Sequence, residues 1–376
     1  MRRFNIWVLF VLLVLGIGSA QAQQPIEQTL FLTYIPNVQF APAYVGIEYG
    51  YFAESGINVT IEHGDEPVGL DLIAAGQRQF GIIGGEQVIL ARGNGRPVVF
   101  VYEWFQKYPI AVVTTAESGI TAPEDLRGQR IGVPGRFGAT YTGIIALLGA
   151  FGMSERDVQI EPIGFNAPEV VCAGGLNAST IYVNNEPIII RERARAGDCG
   201  SVSDVNVIPV AQYVDLVSNG MVTNEETIAN NPDLVRAMVR GWDAGVRVSL
   251  RNPAAAYLAS AAHVEGLLTD PELRAAFEEA AAQQDAWLDA NPDASRVELA
   301  QRRLDSYAEL AQRFDSAALL QYAILLETVN LWDGDRIGYT DPESWEVTQS
   351  VLIELGKLRA PLDDLSAAYS NDFLPD

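Results

Sequence analysis

Thr29-Leu-Phe-Leu-Thr33, Asn58-Val-Thr-Ile-Glu62 and Phe80-Gly-Ile-Ile-Gly84 are short apolar runs, and helical patterns at Ala41–Tyr49 and Gly69–Ala75 separate them. That order, three strands alternating with two helices, is the one from which mostly parallel sheets with helices on their faces are built. The alternation resumes after Thr114. A short helix start at Ala122-Pro-Glu-Asp-Leu-Arg-Gly128 precedes a strand at Arg130–Val133 and a helix at Thr140–Phe151. Further strands are expected near Val158–Glu161, Ala178–Val183 and Asn206–Val210. Leu216–Thr223 then reads as a strand leading back, ahead of almost purely helical sequence. The pattern predicts an α/β protein of two Rossmann-like lobes, joined by crossing segments near 112–115 and 209–214. Lobe I would comprise 23–113 and 212–376 with the C-terminal helices, and lobe II 114–211.

Arg2 and Arg3 precede an apolar run from Ile6 to about Ile17, and Gly-Ser-Ala-Gln-Ala follows to Ala22. Basic, apolar and small-residue parts in this order mark a secretory signal at 1–22, cleaved near Ala22. The run is short for a membrane span. Loss of two arginines takes the formal charge from −23 to −25. Such an excess repels nucleic acid and anionic lipid, so neither is an expected partner. In an oxidising exported setting the only two cysteines, Cys172 and Cys199, suggest a disulfide worth about 3 kcal/mol in the chain-entropy picture, with two buried thiols as the alternative. In the C-terminal part, Asn231-Pro-Asp and Asn252-Pro-Ala are helix starts. Leu234, Met238, Trp242 and Val246 recur at helical spacing, as do Leu319, Tyr322, Leu326 and Trp332, and both stripes are expected in the core.

Three segments just beyond apolar runs carry the binding chemistry: Tyr34-Ile-Pro-Asn-Val-Gln-Phe-Ala-Pro42, Gly132-Val-Pro-Gly-Arg-Phe-Gly-Ala-Thr140 and Tyr182-Val-Asn-Asn-Glu-Pro187. Tyr34, Phe40, Trp104, Phe137, Tyr141 and Tyr182 fall in or beside strand-end loops, where facing rings can sandwich a flat heteroaromatic ligand. Asn37, Asn185 and Glu186 can read its donor and acceptor edge. Glu86, after Gly84-Gly85, is a further candidate at a helix start, where exposed amides favour a carboxylate even without a ligand. Asn37 and Asn185 also suit turn or helix capping. Gly135-Arg-Phe-Gly-Ala-Thr140 lacks the Lys-Ser/Thr ending of a nucleotide-hydrolysing loop, so its amides are expected to meet ligand oxygens, with Arg136 at the rim.

The chain resembles the periplasmic substrate-binding subunits of vitamin-type ABC importers, in the broad family of sulfonate-binding and thiamine-pyrimidine synthase-like proteins. The markers are the Tyr34–Pro42 segment, Glu48-Tyr-Gly-Tyr-Phe-Ala-Glu-Ser-Gly-Ile57, Pro123-Glu-Asp-Leu-Arg-Gly-Gln-Arg-Ile-Gly-Val-Pro134, Asn185-Glu-Pro187 and Tyr369-Ser-Asn-Asp-Phe-Leu-Pro375. Within that family the segments around Asn37, Pro134 and Tyr182 are most similar to the riboflavin-binding branch. The resemblance implies a type II periplasmic binding protein, with a ligand cleft between its lobes. It implies an exported, extracytoplasmic monomer that captures riboflavin as cargo and delivers it unchanged to an ABC permease, without metal, cofactor or nucleic acid. A thiamine pyrimidine precursor is the alternative cargo.

Catalytic readings are weaker. His63 and His263 are the only histidines, far apart and without zinc-site spacing. There is no Gly-x-Ser-x-Gly elbow, and Cys172 has no evident His partner. The iron-using, thiamine-pyrimidine synthase-like enzymes of the same broad fold carry a cysteine cluster for which two cysteines do not suffice. The expectation is therefore a binding protein and not an enzyme.

Overall fold

The computed structural model describes residues 25–375, and the expected signal at 1–22 lies outside them. The first sheet holds β1 (Ile26–Thr33), β2 (Ile57–Gly64), β3 (Phe80–Gly84) and β4 (Val98–Glu103). The second holds β5 (Ile110–Thr115), β6 (Arg130–Val133), β7 (Gln159–Pro162), β8 (Ala178–Tyr182) and β9 (Val205–Pro209). β10 (Asn219–Asn224) returns to the first, giving spatial orders β2-β1-β3-β10-β4 and β7-β6-β8-β5-β9. Helices cover both faces, so β3, β4, β5 and β10 are buried along their whole length, as near-continuous apolar runs require.

Parallel pairing holds with one exception per sheet. β10 runs antiparallel to β3 and β4, and β5 antiparallel to β8 and β9. These are the two strands on which the chain arrives from the other lobe. Neither closes a β-helix-β crossover within its sheet, so nothing constrains it to run parallel. The first crossing therefore differs from expectation, while the return overlaps the expected 209–214. Residues 112–115 are the end of β5, inside the second sheet, and the chain crosses at 104–109; it returns through 210–218. β10 enters very close to β4: a Cβ on Gly220 would lie 2.2 Å from the Tyr102 carbonyl oxygen, so only glycine fits there.

The stripe Leu234, Met238, Trp242 and Val246 is buried along the helix Pro232–Arg251, and Leu319, Tyr322, Leu326 and Trp332 join the same core. Asn252 caps its helix through Ala255 N–H, whereas the Asn231 side chain makes no capping bond. Among the described residues no helix is long and apolar enough to cross a membrane.

Cys172 and Cys199 form a disulfide within the second lobe, 27 residues apart in sequence and both buried. It ties the end of the helix Ala167–Cys172 to the loop following the helix Glu186–Arg195. Replacing both cysteines with serine is expected to cost about 2–4 kcal/mol in urea unfolding, the usual loss for a cross-link of this loop size. Unchanged unfolding would show that packing alone holds this corner.

Candidate ligand-binding site

Strand ends from both sheets open onto a cleft of about 910 Å³, part of it continuous with solvent. The first lobe contributes Thr33, Tyr34, Gln39, Phe40, Glu66, Trp104, Phe105 and Asn219. The second contributes Phe137, Gly138, Phe165, Thr180, Tyr182, Asn185 and Glu186 among others. The mixture of rings with a few polar groups is that of a small-molecule site.

Trp104 is the centre of the aromatic wall. It is only 4% exposed, stacks on Phe40 with centroids 5.6 Å apart and 25° between planes, and contacts Phe105, Trp242 and Trp332. Its backbone N–H is held by the Asn219 carbonyl, at 3.0 Å. Tyr34 lines the same cleft in an unusual backbone conformation, φ +91°, which costs a non-glycine residue on the order of 1–3 kcal/mol. Three contacts hold it there. Its N–H donates to Gly64 O, His63 Nδ1 lies 3.0 Å from its carbonyl oxygen, and its ring meets Phe165 of the other lobe edge-on at 4.8 Å.

Asn185 precedes the helix Glu186–Arg195, yet its side chain makes no capping bond. It is 1% exposed, lines the cleft, and its Oδ1 has no hydrogen-bond partner among the described residues. Trp104 Nε1 is likewise without a partner. These are one acceptor and one donor, both buried, on residues that line the cleft, and leaving either unmet costs roughly 1–3 kcal/mol. Glu186 Oε2 accepts the Tyr182 backbone N–H at 2.9 Å, and burial pushes its carboxyl up to about 7.

The lobes are joined at this level. Tyr182 Oη donates to Asn219 Oδ1 at 3.2 Å, and Asn184 Nδ2 donates to both Gln39 Oε1 and Thr328 Oγ1 at 2.7 Å. Each bond runs from the second lobe to the first, so these groups sense how the lobes are set together.

Of the residues expected from sequence, Tyr34, Phe40, Trp104, Phe137, Tyr182, Asn185 and Glu186 line the cleft, and Asn37, Glu86 and Tyr141 do not. Asn37 caps the turn at Val38–Phe40, accepting Gln39 N–H, and it is Gln39 that reaches the cleft. Glu86 is fully buried behind the cleft floor. Tyr141 points out of the helix Gly138–Ala150 on its far side, donating to Glu155 and receiving Lys357 Nζ at 3.1 Å. Arg136 pairs with the same Glu155, beside the Tyr141 ring. Sequence reading missed Glu66, Gln39, Phe165, Thr180 and Asn219. For Phe165 a signal existed, a lone aromatic ring in the strand-end loop Gly164-Phe-Asn166.

Residues 37–256 match the family model described as NMT1/THI5 like. The riboflavin-binding protein RibY of Chloroflexus aurantiacus is 32% identical over 95% of this chain and 89% of its own. The formylaminopyrimidine-binding protein of Halalkalibacterium halodurans is 26% identical over 67% of this chain and 77% of its own. Among solved structures, the alkanesulfonate-binding protein SsuA of Xanthomonas axonopodis pv. citri, bound to MOPS, superposes with a TM-score of 0.52 at 16% identity, covering 75% of this chain and 99% of that one. Its likeness establishes the two-lobed periplasmic binding protein fold. By sequence and fold together, the chain belongs to the NMT1/THI5-like family.

Proposed function

We propose that the protein is the extracytoplasmic solute-binding subunit of an ABC importer, and that its cargo is riboflavin. The family supports a solute-binding protein, and the 32% identity to a protein named for riboflavin binding, spread over most of both chains, supports the cargo. The observation that carries the reading is the cleft itself: it is lined by rings from both lobes, Trp104 and Phe40 from one and Phe137, Phe165 and Tyr182 from the other, with Asn185, Gln39 and Asn219 among them. Rings hold a planar tricycle by its faces, and amides read its edge. A ligand that touches both lobes favours their closed arrangement by its differential affinity for that state, which is what a permease would recognise.

Titrating ligand-stripped protein with riboflavin is expected to quench flavin fluorescence through stacking, and mass spectrometry of the molecule released from untreated protein should find the flavin. The 26% identity to a formylaminopyrimidine-binding protein supports a second cargo, a substituted pyrimidine. Release of a pyrimidine with no response to riboflavin would replace the first reading by the second. Asn185→Ala is expected to weaken riboflavin binding roughly 10- to 100-fold, because the ligand group opposite it loses its partner. Thermal unfolding should change little. Unaltered affinity would remove Asn185 from the contact surface.

A further inference from the structure

Glu66 is the first residue of the helix Glu66–Ala74 in the first lobe and is 7% exposed. Its Oε1 accepts the Gly84 N–H at 2.7 Å. Its Oε2 lies against Gly138, where the second lobe begins the helix Gly138–Ala150: a Cβ built there would come within 2.4 Å of that oxygen, and φ is +70°. Glycine at 138 thus makes room for a carboxylate from the other lobe. Behind Glu66 stands Glu86, fully buried, with both carboxylate oxygens unpartnered among the described residues. Tyr108 and Tyr182 are the other titratable groups that feel this pair, and Glu186 lines the same cleft. Burial first, and for Glu86 also the charge of Glu66, pushes the two carboxyls up to about 7 and about 8.

Among the described residues lining the cleft there is no Lys, Arg or His, while two are glutamates. The nearby basic groups offer no counter-charge: Arg136 pairs with Glu155, and His63, held low by burial, turns Nδ1 to the Tyr34 carbonyl. Asn185 and Trp104 line the same cleft, and each carries a buried polar atom, Oδ1 and Nε1, without a partner among the described residues.

We propose that Glu66 selects the cargo by charge, admitting planar heterocycles that turn a neutral N–H or O–H edge toward it and rejecting their phosphate or sulfonate derivatives. This rests on the reading that the cleft takes a planar heterocycle, and deepens it. A carboxylate accepts from a neutral donor but repels an anion, and in a cleft without a counter-cation nothing offsets the repulsion.

The test is calorimetry at pH 8 with two pairs of probes: riboflavin against flavin mononucleotide, and 4-amino-5-hydroxymethyl-2-methylpyrimidine against its phosphate. For whichever neutral compound binds, the phosphate should bind about 100-fold more weakly. Glu66→Gln should narrow that ratio by about tenfold or more, since glutamine can still accept from Gly84 without the charge. Glu66→Asp keeps the charge and should keep the discrimination. A phosphate within tenfold of its parent in the natural protein overturns the proposal, as does an unchanged ratio in folded Glu66→Gln. If neither neutral probe binds, the choice of cargo has failed, and the molecule released from the purified protein decides the selector: a neutral or cationic one upholds it, an anionic one overturns it.

Discussion

Trp104→Ala is expected to weaken riboflavin binding at least 100-fold and to cost the unliganded protein about 3–5 kcal/mol, the largest combined effect of any single substitution in the cleft. Both losses have one cause. Trp104 touches Phe40, Phe105, Trp242 and Trp332 at centroid distances of 4.4–5.6 Å, so it belongs to the lobe's core as much as to the ligand wall. Truncation removes the stacking face and opens a void that the remaining rings fill only in part. Trp104→Phe separates the two roles. It keeps most of the packing, so stability should fall by under about 1.5 kcal/mol. It removes the unpaired Nε1 donor, so affinity should fall roughly tenfold. Full affinity in the phenylalanine variant would mean that the indole N–H meets no ligand group, and full affinity in a folded alanine variant would move the ligand away from this wall. Titration of the natural protein adds a direct readout, because a flavin stacked at Trp104 should quench indole emission.

Trp104 also illustrates what the sequence made legible. Apolar runs ended by polar or glycine residues announced β1, β3, β6 and β8, and 3.6-residue stripes announced the C-terminal helices; in each case local chemistry and tertiary position agree. The crossing strands were harder. β4 and β5 flank Trp104–Pro109, a stretch whose aromatic residues fit strand, loop or pocket equally, and only their pairing with β10 and β8 settles which lobe each joins. Within the cleft, aromatic residues just after strands were found because strand ends deliver side chains there. Tyr141 was misplaced because the helix Gly138–Ala150 is buried almost all round, leaving no polar face to tell which side meets the cleft. Asn37 and Gln39 illustrate the same difficulty at short range: two amides lie two residues apart, one spent on a turn and the other at the cleft wall, where it meets Asn184 of the second lobe. Glu66 gave no local sign at all. An acid just before proline at a helix start is ordinary capping chemistry, and its role depends on Gly84, Glu86 and Gly138, which lie 18, 20 and 72 residues further along the chain.

The same carboxylates predict that folding stability and ligand affinity respond to pH in opposite directions. Burial lifts Glu66 and Glu103 from the usual 4.5 to about 7 and Glu86 to about 8. A raised native value means that the folded chain holds protons that the unfolded chain has released. The resulting stability is therefore complete below about 4.5 and lost as pH rises through 7 to 8. A shift of this size on a buried group corresponds to something on the order of 3 kcal/mol at pH 9, with the Glu66–Glu86 pair less than additive because the two share a site. Asp125 and Asp157, lowered by hydrogen bonds, act the other way, but only as pH falls through and below the ordinary carboxylate range. Between pH 5 and pH 9 the urea midpoint of ligand-free protein should fall. Binding should do the reverse. A ligand N–H or O–H needs ionised Glu66, so below pH 7 affinity should drop up to tenfold per pH unit until the protonated cleft is saturated. Glu186 titrates alongside, near 7, whereas the buried phenols of Tyr108 and Tyr182 stay protonated and His63, lowered by burial, stays neutral above 7. Riboflavin should therefore raise the unfolding midpoint more at pH 8 than at pH 5.5, and Glu66→Gln should flatten the binding curve while lessening the stability slope only in part, since Glu86 and Glu103 still carry it. Affinity that is level from pH 5.5 to 8 would detach Glu66 from the ligand, and ligand-free stability that climbs across pH 5 to 9 would overturn the role given to the buried acids; a binding slope that flattens in Glu66→Gln while part of the stability slope persists would tie the affinity effect to the one carboxylate lodged between the lobes.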